Sequence, residues 1–310
     1  MPNTLAHIGV QSILTRSVLK SADFIWIYIG LIIPDIPWII QRAIRTVYPA
    51  VDLLMLRSYS IIQATLIGSL LLSFLIAYVT REQWKVFAIL GLNACLHLII
   101  DAGQLKYANG VHFLAPFSWE MTNWGLFSIE GVVTYVLTGF GLFYLFWSWR
   151  SLNPLLPKLK KIHLRQILVL SMLMILYFTF PLLLLEKPVQ ANNHYLKTLQ
   201  NSENRTGEYI ELDRASFKIT NGNKVIKPGH YSEWFQVKGL PVENSASVSI
   251  KGFFSEQKVI TVNEYKVHTD WFRDMASYAG LVLVVLTLIV TIFLGRSLKK
   301  PLSVLPDNIT

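Results

Sequence analysis

Apolar stretches long enough to cross a bilayer dominate this chain of 310 residues. Crossing roughly 30 Å of hydrocarbon takes about 20 mostly apolar helical residues. Ile61–Val79, Trp124–Trp149, Ile167–Leu185 and Tyr278–Leu294 meet that requirement, and Val86–Ile100 is a shorter fifth stretch that ends on Asp101. A sixth, Phe24–Ile40, contains Pro34, Asp35 and Pro37. Proline removes a backbone donor and bends a helix, so this segment reads either as a broken span or as a re-entrant loop. With 53% hydrophobic and 15% charged residues, the chain has too few charges to solvate a compact globule, which excludes a water-soluble enzyme.

The excess of positive charge lies beside the spans. Residues 186–277 hold 12 basic and 11 acidic side chains, whereas the rest of the chain holds 16 and 8. A nucleic-acid binder concentrates such an excess on one soluble face, so nucleic acid is not an expected partner. Arg81 and Lys85 form one basic patch, Arg150, Lys158, Lys160, Lys161 and Arg165 a second, and Arg296, Lys299 and Lys300 a third. Alternating spans put all three on one side, the cytoplasm by the positive-inside rule. The expected location is therefore the inner membrane, multi-pass, with 186–277 extracytoplasmic and the C-terminus cytoplasmic. The N-terminus lies inside if Phe24–Ile40 spans and outside if it is re-entrant.

The fold class expected is an α-helical membrane domain of five to six hydrophobic helices carrying an extracytoplasmic β-sandwich or barrel. Residues 1–150 form the helical membrane domain, 151–185 a basic loop and a transmembrane helix, 186–277 the β-rich domain, and 278–310 a last helix with a basic tail. The β reading rests on alternating runs at Tyr209–Asp213, Trp234–Val237, Ser247–Ile250 and Val259–Val262, separated by turn material such as Asn221-Gly222-Asn223. Residues 1–23 lack a long apolar core, and Gly139-Phe-Gly141 reads as helix packing.

Ionisable groups at membrane depth are costly and so mark function. His97 and Asp101 stand one helical turn apart and share a face. Asp35 sits between two prolines, able to face a cavity or to cap a helix. Glu130 is the only charged residue of Trp124–Trp149. His112 lies in a segment, Gly103–Phe117, whose glycine, asparagine and proline content suits a fold-back over a site. His194, His230 and His268 fall among the strands and read as solvated surface. Orientation by the charge rule places Asp35, Asp101, His112 and Glu130 at one depth, with His97 one turn below. Imidazole plus carboxylate suits zinc or manganese.

Four elements in order carry a resemblance: Leu5-Ala-His-Ile-Gly9, Gly30-Leu-Ile-Ile-Pro-Asp35, His97-Leu-Ile-Ile-Asp101 and Pro116-Phe-Ser-Trp119. Over roughly residues 1–150 the chain resembles the bacterial membrane-bound metal-dependent hydrolase family of the LexA-regulated type, for which kinship with the all-helical zinc-dependent phospholipase C fold has been suggested. The resemblance implies His7, Asp35, His97 and Asp101 as metal ligands. The family's H-R-G-x-T-H-S motif is missing: the region reads Met55-Leu-Arg-Ser-Tyr-Ser-Ile-Ile-Gln-Ala-Thr65, with Arg57 and Ser60 but no histidine. His112 is the candidate to compensate. The expected function is hydrolysis of an ester or phosphoester of a lipid or lipid-linked envelope component, with a divalent metal as cofactor and Asp35 or Glu130 as general base. Membrane lipids are the expected surroundings and partners. The alternative is a non-catalytic sensor or assembly scaffold whose β domain binds a partner.

Overall fold

The computed structural model describes residues 4–149, 158–192, 194–229, 231–268 and 271–297. Arg150, His230, Lys299 and Lys300 lie outside the described residues. The helical part begins with α1 (Thr4–Val18) and α2 (Phe24–Ile32), a 3-10 turn (Ile33–Asp35) and α3 (Ile36–Val47). It continues with α4 (Leu53–Gln63), α5 (Leu66–Tyr78) and α6 (Gln83–Ala102), then two short paired strands, β1 (Gln104–Leu105) and β2 (Phe127–Ser128), and α7 (Val132–Trp149). After α8 (Leu164–Thr179) and a 3-10 turn (Phe180–Leu184) come the short helices α9 (Glu186–Ala191) and α10 (Leu196–Gln200). The strands β3 (Tyr209–Thr220), β4 (Asn223–Lys227), β5 (Phe235–Lys238), β6 (Ala246–Glu256) and β7 (Val259–His268) precede the last helix, α11 (Phe272–Ser297).

Among the described residues, four helical segments are long and apolar enough to cross a membrane: Phe24–Val47, Gln83–Ala102, Leu164–Leu184 and Asp274–Thr291. The bent pair α4 and α5 would make a fifth. The front end differs from the expected break. Pro34 and Pro37 occupy the first turns of the 3-10 turn and of α3, where a missing N–H costs no intrahelical bond. Residues 24–47 therefore run on as one helical unit. Ile61–Val79 is not one helix: Thr65 caps a new one by accepting from the Gly68 amide, and α4 and α5 meet at 67°. Trp124–Trp149 is helical only from Val132, because Phe127 and Ser128 pair with Gln104 and Leu105 and 129–131 turn before the helix starts.

The segment with no apparent apolar core, α1, lies at the centre of the bundle, packed on α7, α11, α2 and α6. Leu5, Ala6, His7, Ile8, Gly9, Gln11, Ser12 and Thr15 are all buried. Its close approach to α7 depends on glycine at the crossing: a Cβ on Gly9 would lie 2.5 Å from Gly141 Cα. Gly280 of α11 meets Thr4 in the same way. Thr15 Oγ1 donates to Asn93 Oδ1 at 3.1 Å, so the polar face of α1 is paired into α6 rather than exposed.

The five longer strands close into a barrel in the order β3-β4-β5-β7-β6, antiparallel except for the parallel pair β5–β7. The turn between β3 and β4 has Asn221 at φ 49° and Gly222 at φ 78°, the two left-handed residues that a tight hairpin turn demands. Inward residues of β3, Ile210, Leu212, Ala215 and Phe217, join Ile250, Phe254 and Ile260 in the core. Strand β3 slips register between Leu212 and Ala215, with Arg214 in the left-handed region at φ 48°. That bulge re-aims Asp213 and Arg214, a common use of an extra residue in a strand. The barrel rests on the helical part: Leu54 and Ile61 of α4 and Ala108 pack into its core, and the Ala108 amide donates to Glu211 at 2.8 Å.

Candidate metal centre

Three helical pieces converge near one end of α6. His7 comes from the first turns of α1, Asp35 from the end of the 3-10 turn after α2, and His97 and Asp101 from the last turns of α6. The His7 and His97 rings stack at 4.0 Å between centroids and within 10° of parallel. His7 Nε2 lies 3.6 Å from Asp101 Oδ1, and His97 Nε2 lies 3.3 Å from Asp35 Oδ1. Donor atoms of His7, His97 and Asp101 all fall within 4.8 Å of one another, so these three residues could hold a metal ion.

The outer nitrogens of both rings are anchored. His97 Nδ1 lies 2.6 Å from the Leu31 carbonyl. A carbonyl only accepts, so Nδ1 carries the hydrogen and a neutral ring presents a bare lone pair at Nε2. This is the arrangement that orients metal-ligating histidines. His7 Nδ1 lies 2.8 Å from Gln11 Nε2, one turn along α1, and accepts from it, which leaves the hydrogen of a neutral ring on Nε2. His7 offers a lone pair at Nε2 when the Gln11 amide turns to present Oε1, itself buried and unbonded. The inner atoms are different. His7 Nε2, His97 Nε2 and Asp35 Oδ1 are buried and make no hydrogen bond. Each such atom costs about 1–3 kcal/mol unless something meets it. A cation held by the His7, His97 and Asp101 donor atoms would meet both ring nitrogens, with Asp35 Oδ1 beside it 3.3 Å from His97 Nε2, so the donor set fits a divalent metal.

Sequence reasoning missed the groups that complete the site. Lys106 Nζ stands 3.2 Å from Asp101 Oδ2, and Gln104 Nε2 donates to Asp101 Oδ1 at 3.2 Å. Lys106 follows the end of an apolar helix by a few residues, where a lone ammonium beside Asp101 was the available signal. The cluster opens into a cavity of about 240 Å³, whose walls include Arg42, Arg45, Arg57, Lys106, His112 and Asp213. Buried Arg57 lies over the Tyr195 and Trp38 rings at 4.8 and 5.9 Å. Asp213, which reaches the cavity through the β3 bulge, gave no signal in the sequence.

His112 lines the cavity and donates from Nδ1 to the Trp119 carbonyl at 2.8 Å, but it is not one of the three residues whose donor atoms cluster. Burial pushes its pKa below the ordinary histidine range, helped by the Arg57 charge and opposed by the Trp119 bond. Glu130 is not brought to the cluster at all. It precedes α7 instead of lying within it, and its carboxylate binds Arg214, Lys266 and His268 of the barrel. Burial pushes its pKa up, yet the His268 hydrogen bond and the Arg214 and Lys266 charges outweigh it and hold the group below its usual range. A carboxylate so occupied is a poor general base. His268, expected on the solvated surface, has a side chain only 7% exposed because it faces this carboxylate.

No protein-family model, no curated protein and no solved structure matches this chain. The likeness to the metal-dependent hydrolases rests on its four motifs alone.

Proposed function

We propose that the protein is a membrane-embedded, divalent-metal-dependent hydrolase acting on an ester or phosphoester of a lipid or envelope component. The observation that carries this reading is the convergence of buried His7, His97 and Asp101 donor atoms within 4.8 Å of one another, beside a cavity that His97 and Asp101 line with several cationic side chains. His7, Asp35, His97 and Asp101 would hold the ion, and imidazole with carboxylate favours zinc or manganese. Bound there, the ion supplies a Lewis acid that polarises an ester or phosphoryl oxygen. Arg42, Arg45 and Arg57 give the cavity wall a positive charge that favours an anionic substrate group. Asp35, with a side chain 16% exposed against 10% for Asp101, is the carboxylate better placed to accept a proton from the cavity.

The basic residues support a sidedness. The Lys160 amide donates to the Val79 carbonyl, and Arg81 donates from its backbone to Lys158, so two basic patches gather at the α5–α6 turn. That turn lies at the start of α6, whereas the cluster lies at its end. The positive-inside rule then puts the cluster and the barrel on the extracytoplasmic side of the inner membrane, with the C-terminus in the cytoplasm. Because α1 itself descends from the cluster and α2 returns to it, His7 reaches Asp101 without a re-entrant Phe24–Ile40.

The test is hydrolysis of bis-p-nitrophenyl phosphate and p-nitrophenyl butyrate by the purified full-length protein, before and after chelation and after restoring zinc or manganese. Metal-restored turnover lost in His97→Ala supports the reading; turnover indifferent to chelator, or none with any metal, removes it. One observation favours the scaffold reading instead. Lys106 already offsets the Asp101 charge at 3.2 Å, as a purely structural network would require. A wild-type metal content no higher than that of His97→Ala with Asp101→Ala would select the scaffold.

A further inference from the structure

A second polar chain crosses the seam between the barrel and the helical part, and it stands independently of any metal. His268 Nδ1 lies 2.7 Å from Glu130 Oε1, and His268 Nε2 lies 2.7 Å from Ser249 Oγ. Ser249 Oγ in turn lies 3.0 Å from Asp213 Oδ1 and accepts from the Arg214 amide at 3.0 Å. Serine, histidine and carboxylate in this order have the spacing of a nucleophilic triad. Ser249 is 0% exposed, however, so no substrate reaches its hydroxyl. What the chain joins is Glu130 at the seam to Asp213 on the cavity wall.

Donor and acceptor counting gives this chain two states. Glu130 only accepts, so His268 Nδ1 carries a hydrogen in both. With His268 neutral, Ser249 donates its one hydrogen to Nε2 and nothing donates from Ser249 to Asp213. With His268 charged, Nε2–H donates to Ser249, and the hydroxyl turns to donate to Asp213. We propose that Ser249 couples His268 to Asp213, making Asp213 a proton-exchanging residue of the cavity that discharges to the domain seam. A proton taken up by Asp213 passes to Ser249 Oγ as the Ser249 proton passes to His268 Nε2. Asp213 is left a carboxylate and His268 an imidazolium facing Glu130.

The charged groups around His268 are Glu130 before α7, Asp213 and Arg214 on β3, and Lys266 on its own strand β7. Burial pushes its pKa below the ordinary value, the Glu130 bond opposes this, and Arg214 adds to it. In the neutral form that burial favours, His268 Nε2 is ready to accept.

Histidine-selective NMR of the full-length protein tests the coupling, with the His268 signal assigned by its loss in His268→Gln. Asp213→Asn should lower the His268 midpoint by about one pH unit, the scale of one charge-assisted hydrogen bond. In a Ser249→Ala background the same change should move it by less than half as much. If Ser249→Ala does not fold, Ser249→Cys, close in volume and a weak hydrogen-bonder, takes its place with the same expectation. An equal Asp213→Asn shift with and without the serine hydroxyl, or no shift in either, would overturn the proposal.

Discussion

Replacing Gly9 by alanine tests how the fold places His7. The new Cβ would lie 2.5 Å from Gly141 Cα and 2.8 Å from Gly141 N, both backbone atoms that no rotamer change can move. Carbon atoms rest at about 3.5 Å or more, so α1 and α7 must separate by about 1 Å. His7 is two residues away on the same helix, and a shift of that size exceeds the roughly 0.5 Å within which a binding constellation must be held. Gly139→Ala is the matched control, because a Cβ there meets nothing within 4 Å. Alanine adds the same helix propensity in both variants, so their difference isolates the clash, about 1–3 kcal/mol for overpacking. Thermal unfolding of the two purified variants should show Gly9→Ala less stable by that margin. Equilibrium dialysis against zinc should show weakened binding in Gly9→Ala alone. Equal melting points for the two variants would refute the packing argument, and unweakened zinc binding in a destabilised Gly9→Ala would refute the claim that α1 positions a ligand.

Glu130→Gln should loosen the barrel from the helical part, because Arg214, Lys266 and His268 lose their common anion; limited proteolysis of the seam should quicken. The pKa of Glu130 is lowered in the folded protein from 4.5, so its contribution is present above about pH 4.5 and is lost as pH falls through the lower folded value. Acid unfolding monitored by far-UV circular dichroism should therefore flatten below pH 4.5 in Glu130→Gln; an unchanged profile would remove Glu130 from the seam's energetics. Arg57→Lys keeps the charge but loses the planar face that lies over Tyr195 and Trp38. Isothermal titration with inorganic phosphate should show about tenfold weaker binding, and equal affinity would mean that Arg57 serves only packing. Arg205→Met removes the donor to the Thr198 and Leu199 carbonyls and the Tyr231 hydroxyl inside the barrel; a cost of about 3 kcal/mol in chemical denaturation is expected from the acceptors left buried and unmet.

Much of the helical architecture could be read from the sequence because hydrophobic length is a direct physical requirement of crossing lipid. Gln83–Ala102, Leu164–Leu184 and Asp274–Thr291 overlap the apolar stretches read first. What failed were segments whose structure is set by partners. Residues 124–131 are apolar enough for a helix, but Phe127 and Ser128 pair with β1 and a turn follows, so Glu130 lies before α7. The buried position of α1 was hidden because His7, Gln11 and Thr15 read as polar, and each finds a partner only across the bundle or one turn away. At the site, the one-turn spacing of His97 and Asp101 was visible locally, and Asp35 stood out between prolines. Lys106, Arg57 and Asp213 reach the cavity through long-range packing and a strand bulge, features that no local spacing encodes.

The most direct measurement is X-ray absorption spectroscopy of the full-length protein loaded with zinc and desalted. Bound zinc should show a first shell of nitrogen and oxygen at about 2.0–2.2 Å with the outer-shell scattering of two imidazoles. One imidazole should disappear in His7→Ala and one in His97→Ala. Zinc that washes out on desalting, or a shell unaltered by either substitution, would contradict a metal centre built on His7 and His97.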